Sequence, residues 1–193
     1  MIMPSSLPCI INKEGAIFAN PLAVVMLTIE EMNTLLYSYP VLGQLREFYQ
    51  DAIQREGFSF QAVKGQHLFR EGDTCHWLFL ITSGSLQVVR STKNGRLINL
   101  YEVHTGDTCL MTTSALLGSI PYAAQGIATT DIKGVLISQF GFNQLIDESA
   151  QFRHFFFQQC SRQLQLLLKR FDALDLMLDG SLDNSLFWQP PPS

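Results

Sequence analysis

The strongest constraint on the fold is a row of short β-prone runs, broken by turn signals, between residues 60 and 139. The stretch "HWLFLITSGSLQVVRSTKNGRLINLYEV" holds runs of Val, Ile, Leu and aromatic residues, and Asn94-Gly95 between two of them is a strong hairpin signal. Further turns fall at Glu71-Gly72-Asp73, Ser83-Gly84 and Thr105-Gly106-Asp107, and the last run is "DIKGVLISQF", residues 131–140. Short strands at this spacing with glycine punctuation predict an antiparallel β-roll or jelly roll. Residues 30–57 read as short helices, with Leu45, Phe48, Tyr49, Ala52 and Ile53 at helical spacing, Pro40 interrupting and Gly57 closing. The expected class is therefore α+β: a roll flanked by short helices.

From Phe142 the pattern is helical. "FNQLIDES" makes a short helix, and Asp147, Glu148 and Ser149 offer acidic and capping groups for a new helix start. Beyond it, Phe152, Phe156, Cys160, Leu164, Leu167, Phe171, Leu174 and Leu178 recur at steps of four and three, and Gly180 follows as a stop. A helix this long outruns a small roll, so its seam is expected to face a second copy of the chain in a homodimer. This divides the chain into an N-terminal arm (1–33), a β-roll domain with flanking helices (34–149), a dimerisation helix (150–179) and a tail (180–193).

Composition narrows the functional classes. With 193 residues, 47% hydrophobic and 16% charged, the chain is a folded globular protein with one core and an extension. A net charge of −4 gives no general attraction to nucleic acid or acidic membranes. The cysteines Cys9, Cys75, Cys109 and Cys160 form no CxxC pair, which argues against zinc or an iron–sulfur cluster and suits a reducing cytoplasm. The apolar stretch 15–29 is broken by Asn20-Pro21 and reads as a buried helix or arm rather than a signal peptide; the uncharged run 108–130 is too rich in Thr, Ser and Gly to span a bilayer.

The stretches "VKGQHLFREGDTCHWLFLITSGSLQVV", "NGRLINLYEVHTGD" and "GDTCLMTTSALLGSIPYAAQGIATTD", followed by "LIDESAQFRHFFFQQCSRQLQLLL", resemble the Crp/Fnr transcription regulators over roughly residues 34–170. The resemblance implies a cyclic-nucleotide-binding-like effector roll, a dimerising helix and, normally, a helix-turn-helix domain that binds DNA. It also places a ligand pocket at Gly106, Asp107, Cys109, Met111, Thr112, Thr113, Tyr122, Ala123 and Ala124. Cyclic-AMP binders of that family hold the ribose with a Glu and the cyclic phosphate with an Arg just after the Gly-Asp turn. Here those regions read Leu110-Met111 and Pro121-Tyr122-Ala123-Ala124, and no charged residue lies between Thr108 and Thr130. A phosphate buried without a cation carries a large desolvation cost, so cyclic AMP is not the expected ligand.

The leading expectation is a non-enzymatic regulatory or sensory module with no cofactor, which dimerises through the long helix and acts on an unidentified small effector or another regulatory protein. Two alternatives stand beside it. One is a structural interaction domain whose pocket is filled by Met111, Leu116, Leu117, Ile120 and Tyr122. The other is a haem-based gas sensor using His76, His104, His154, Cys75 or Cys109. No nucleophile–base pair or carboxylate pair suggests an enzyme. Residues 171–193 contain four Asp and no Lys or Arg, and too few residues follow Gly180 for a helix-turn-helix. Direct DNA binding is therefore not expected. A gel shift at low salt, where phosphate attraction is strongest, should show no complex; a shift persisting at physiological salt would refute this expectation.

Overall fold

The computed structural model describes residues 23–92 and 95–178, with side chains between Val25 and Lys169. Its elements are β1 (Ala23–Met26), α1 (Ile29–Ser38), α2 (Pro40–Gly43), α3 (Glu47–Glu56), β2 (Phe58–Ala62), β3 (His67–Phe69), β4 (Trp77–Ser83), β5 (Ser85–Ser91), β6 (Leu97–His104), α4 (Leu110–Gly118), β7 (Gln125–Ala128), β8 (Ile132–Ser138), α5 (Gln139–Glu148) and α6 (Ala150–Leu178). The strands form two antiparallel sheets, ordered β1-β2-β8-β4 and β3-β7-β5-β6. This is the expected β-roll, with helices before it and the long helix after it. Asn94 of the predicted hairpin lies outside the described residues. Its neighbour Gly95 donates its N–H to the Thr92 carbonyl at 2.9 Å, and Thr92 donates to Arg96 at 2.8 Å, closing the β5–β6 turn.

Alternation builds the roll. Leu86 and Val88 on β5 and Tyr101 and Val103 on β6 point inward and are almost fully buried, while their sequence neighbours are more exposed except Val89, which is also buried where the β5–β6 register shifts. They join Leu78, Leu80 and Ile81 of β4 and Val135 and Leu136 of β8 in one core. Several features differ from the sequence reading, among them helix α4, which falls inside the stretch 60–139 read as β structure. Residues 23–26, expected in a helix or arm, form an edge strand on β2, as the β-branched pair Val24-Val25 after Pro21 favours. Helix α1 then runs through position 33, where the arm was expected to end. Its Thr28 and Glu31 make a capping box, with Glu31 N–H donating to Thr28 Oγ1 at 3.2 Å and Thr28 N–H to Glu31 Oε2 at 2.9 Å.

Ser149 ends α5 and starts α6: its N–H donates to Leu145, and its hydroxyl accepts the Phe152 N–H at 3.2 Å. Arg153 reaches back to the carbonyls of Ile146 and Asp147, so a cation covers the last turn of α5. The expected seam of α6 is divided. Phe152 and Phe156 are fully buried in the chain's own core, packed on each other and on Phe142, and are unavailable to a second copy. Cys160 is half-buried, and Leu167 is partly buried against the core. Leu164 is exposed and lines up with Phe157 and Leu168 on the outer side. The side chains of Phe171, Leu174 and Leu178, and Gly180 itself, lie outside the described residues. On the inner face, Gln163 is buried and its Oε1, like that of Gln159, has no hydrogen-bond partner.

Phe156→Ala should therefore lower the unfolding free energy by about 3–5 kcal/mol, because it opens a cavity in an aromatic cluster. Tyr37, 88% exposed, is the matched control: Tyr37→Ala should change it by no more than about 0.5 kcal/mol. Denaturant unfolding monitored by circular dichroism measures both.

Candidate functional site

The uncharged stretch after Asp107 folds as a turn, a short helix and a loop that leads into β7. Gly106 sits at φ +83, and a Cβ there would come within 2.9 Å of the Ser38 carbonyl, so the turn needs glycine. Asp107 follows. Its Oδ2 accepts the His104 N–H at 3.2 Å, its carbonyl lies 2.8 Å from the Tyr39 hydroxyl, and its other carboxylate oxygen pairs with Arg162 of α6. Tyr39 also lies within 3.2 Å of the Ile81 carbonyl, which ties the α1–α2 corner to β4 and to this turn.

Helix α4 begins at Cys109, which gives no side-chain cap. The cap comes from the neighbouring strand: the Met111 N–H donates to the Tyr101 hydroxyl at 2.9 Å, and that hydroxyl lies 3.7 Å from Cys109 Sγ. One of the N–H groups that would face an anion at this helix start is thus taken by a phenol oxygen. Thr113 turns its hydroxyl onto its own helix, donating to the Cys109 carbonyl at 3.0 Å. Thr112 is fully buried and faces the roll.

Tyr122 lies in the loop after α4, where the resemblance puts an Arg. It points inward and is 5% exposed. Its ring stacks on Phe69 with centroids 4.2 Å apart and planes at 14°. Its hydroxyl donates to Cys75 Sγ at 2.9 Å, while the buried Thr112 Oγ1 has no hydrogen-bond partner. Its backbone is pinned on both sides: the N–H donates to Asp73 at 3.0 Å, and the carbonyl accepts from Gly72 at 2.8 Å. Phe69 lies against Gly126, where a Cβ would fall within 3.0 Å of three ring atoms.

Of the nine residues expected around a pocket, Cys109, Thr112, Tyr122 and Ala124 are buried in the roll, and Gly106 and Asp107 form its rim. Met111 is half-buried, Thr113 is turned to its helix, and Ala123 is exposed. Of the expected filling residues, Leu116 and Tyr122 are inside, whereas Leu117 and Ile120 face outward at 45% and 53% exposure. Tyr101 and Phe69 were not foreseen as lining residues, although Tyr101 sits in step with Val103 on β6. The suggested haem ligands do not converge. His76, His104 and His154 are exposed on separate elements, and Cys75 and Cys109 are engaged by tyrosines. Among the described residues no cluster of three metal-ligating side chains exists, and no helix is long and apolar enough to cross a membrane. A separate shallow cleft lies outside the roll between α3, β8 and α5, lined by Tyr49, Ile53, Glu56, Ile137 and Gln144.

Burial pushes the Tyr101 and Tyr122 hydroxyls well above the ordinary phenol range, and the nearby cysteines add to this. Burial likewise raises the Cys75 thiol, against the opposing hydrogen bond from Tyr122, so it is held as a thiol rather than a reactive thiolate. Because the folded phenols titrate above their unfolded value of about 10, their contribution to stability is complete below that pH and is lost as pH rises beyond it. Urea midpoints should fall steeply above about pH 10, and Tyr101→Phe with Tyr122→Phe should flatten that fall. An unchanged alkaline slope in the double variant would contradict the assignment.

Residues 60–149 match the family model described as the cyclic nucleotide-binding domain. No curated protein matches the sequence. Among solved structures, a protein described as a Crp/Fnr-family transcriptional regulator from Eubacterium rectale aligns at 20% identity and TM-score 0.65, covering 70% of this chain and 63% of that one. The Thermus thermophilus catabolite activator protein aligns at 20% identity and TM-score 0.58, covering 71% and 63%. A cyclic nucleotide-binding domain from Methylobacillus flagellatus aligns at 19% identity and TM-score 0.57, covering 85% and 92%. The chain thus has the cyclic-nucleotide-binding fold and spans less than two thirds of the length of the two regulators.

Proposed function

We propose that the chain is a regulatory, non-enzymatic module of the cyclic-nucleotide-binding fold that works without a cyclic nucleotide and pairs through α6 with a second copy or a related regulator. One observation carries this reading: where a nucleotide-binding roll would need a cation, Tyr122 is folded inward, stacked on Phe69 and bonded to Cys75. Losing an Arg–phosphate pair alone costs about 1.5–3 kcal/mol, and the tyrosine ring would have to leave as well. Tyr101 on the α4 N-terminus supports the same reading. The filled interior also favours the neighbouring reading, a structural interaction domain that responds to nothing small.

A route out of the roll supports the regulatory version. Arg162 of α6 pairs with Asp107 in the turn that opens the uncharged stretch, a weak link through which that turn and the long helix touch. The outer stripe Phe157, Leu164 and Leu168 gives α6 an apolar face free for a partner. It replaces Phe152 and Phe156 in the expected dimer contact.

Isothermal calorimetry with cyclic AMP and cyclic GMP should show no binding in the micromolar range, and micromolar affinity for either would refute the first half of the proposal. Light scattering tests the second. Leu164→Asp with Leu168→Asp should raise the dimer dissociation constant at least about 100-fold, since each buried large apolar side chain is worth about 1.5–3 kcal/mol. A double variant that stays fully dimeric would place the interface elsewhere.

A further inference from the structure

We infer that the cleft between α3, β8 and α5 is a binding site for a linear aliphatic diamine. The cleft lies outside the roll, so the inference does not depend on what fills the roll. One face of α3 sets its direction: Tyr49, Ala52, Ile53 and Glu56 follow at helical steps of three and four, and all of them line it. Its floor is apolar, because Ile53, Ile137 and Leu145 are almost fully buried. Each end of the floor carries a carboxylate. Glu56 is exposed, and its carboxylate has no hydrogen bond or ion pair among the described residues. At the other end the exposed Glu148 accepts the Tyr49 hydroxyl at 2.9 Å, which leaves its carboxylate further acceptor sites. Tyr49 and Glu56 stand two helical turns apart, about 10 Å, roughly the span of eight methylenes. Arg46 acts on Tyr49, so the Glu56 end exerts the stronger pull on a cation.

A glycine keeps the cleft open. Gly141 falls inside α5, where glycine costs stability relative to alanine. A Cβ there would meet Ile137 at 3.2 Å and Ser138 Oγ at 3.5 Å, and no atom of α3 lies within 4 Å. The facing helix therefore does not demand the glycine, and the missing side chain leaves room in the trough. Such a trough, shallow and with an acid at each end, fits a thin chain that lays its methylenes on the floor and an ammonium group at each carboxylate. Gln144 adds one neutral polar group along the way. Glu56 is the one charged residue in the lining, so an anionic chain finds no counter-charge there.

Calorimetry at low ionic strength and neutral pH tests this with 1,8-diaminooctane, 1,3-diaminopropane and octylamine on the full chain. The eight-carbon diamine should bind at least about tenfold more tightly than either of the others, because only it joins both ends. Glu56→Gln should weaken it about tenfold or more, and Glu148→Gln should remove its advantage over octylamine. Glu47→Gln takes the same charge from α3 outside the cleft and should change the affinity less than about twofold. Ala52→Leu, which fills the trough, should abolish binding; circular dichroism checks its fold, and if it does not fold, the exposed Glu56 and Glu47 variants decide alone. No binding at millimolar diamine overturns the inference, and so does equal affinity for the three amines. Equal losses in Glu47→Gln and Glu56→Gln overturn it too, since they would show only the general attraction of a chain of net charge −4 for cations.

Discussion

The stack of Tyr122 on Phe69, closed by the hydrogen bond to Cys75, is the contact on which the arrangement of the roll depends. It joins the loop after α4 to β3 and to the turn before β4, and it fills space that would otherwise need a ligand or would stand empty. The solution uses neutral groups throughout. A phenol buried with an acceptor for its proton costs little, whereas a buried guanidinium without an anion would cost several kcal/mol. Once the phosphate-binding charge is absent, an aromatic residue with one polar atom suits the site: its ring is satisfied by packing and its oxygen by a single bond.

The second determinant is how α6 is held. Its first two turns are locked by Phe152 and Phe156 among Phe142 and Phe155, with Ser149 and Arg153 fixing the corner. Farther along, the inner face changes character: Gln159 and Gln163 bring buried amide oxygens without partners, and the exposed Arg162 supplies a tie to Asp107. An unpaired buried amide costs about 1–3 kcal/mol, while a largely exposed ion pair returns less than about 1 kcal/mol. The helix is thus firmly anchored at one end and only marginally attached beyond it.

Much of the architecture was legible in the residues because it is local. Glycine turns, alternating strands and the four-three spacing of α6 each act over a few positions, and they located the roll and the long helix. Helix α4 was not legible. Its sequence, LMTTSALLG, is apolar nearly all round and lacks the one-sided stripe that marks a surface helix. The division of the α6 seam was hidden for another reason: spacing shows which residues share a face, but not where the body of the protein stops covering it. Within the site, Tyr122 could be placed but its direction could not. Whether a loop residue points in or out depends on Phe69 and Cys75, more than forty-five positions away.

Positions 69 and 126 are two halves of one choice. The Phe69 ring occupies the volume that any side chain on residue 126 would claim, so the aromatic wall beside Tyr122 stays undisturbed only while 126 is glycine. A methyl group at 126 forces the Phe69 ring to shift or a smaller residue to take its place, and either change disturbs the surface on which a ring at 122 rests. Covariation of these three positions would separate rolls filled by their own side chain from rolls that leave room for a ligand.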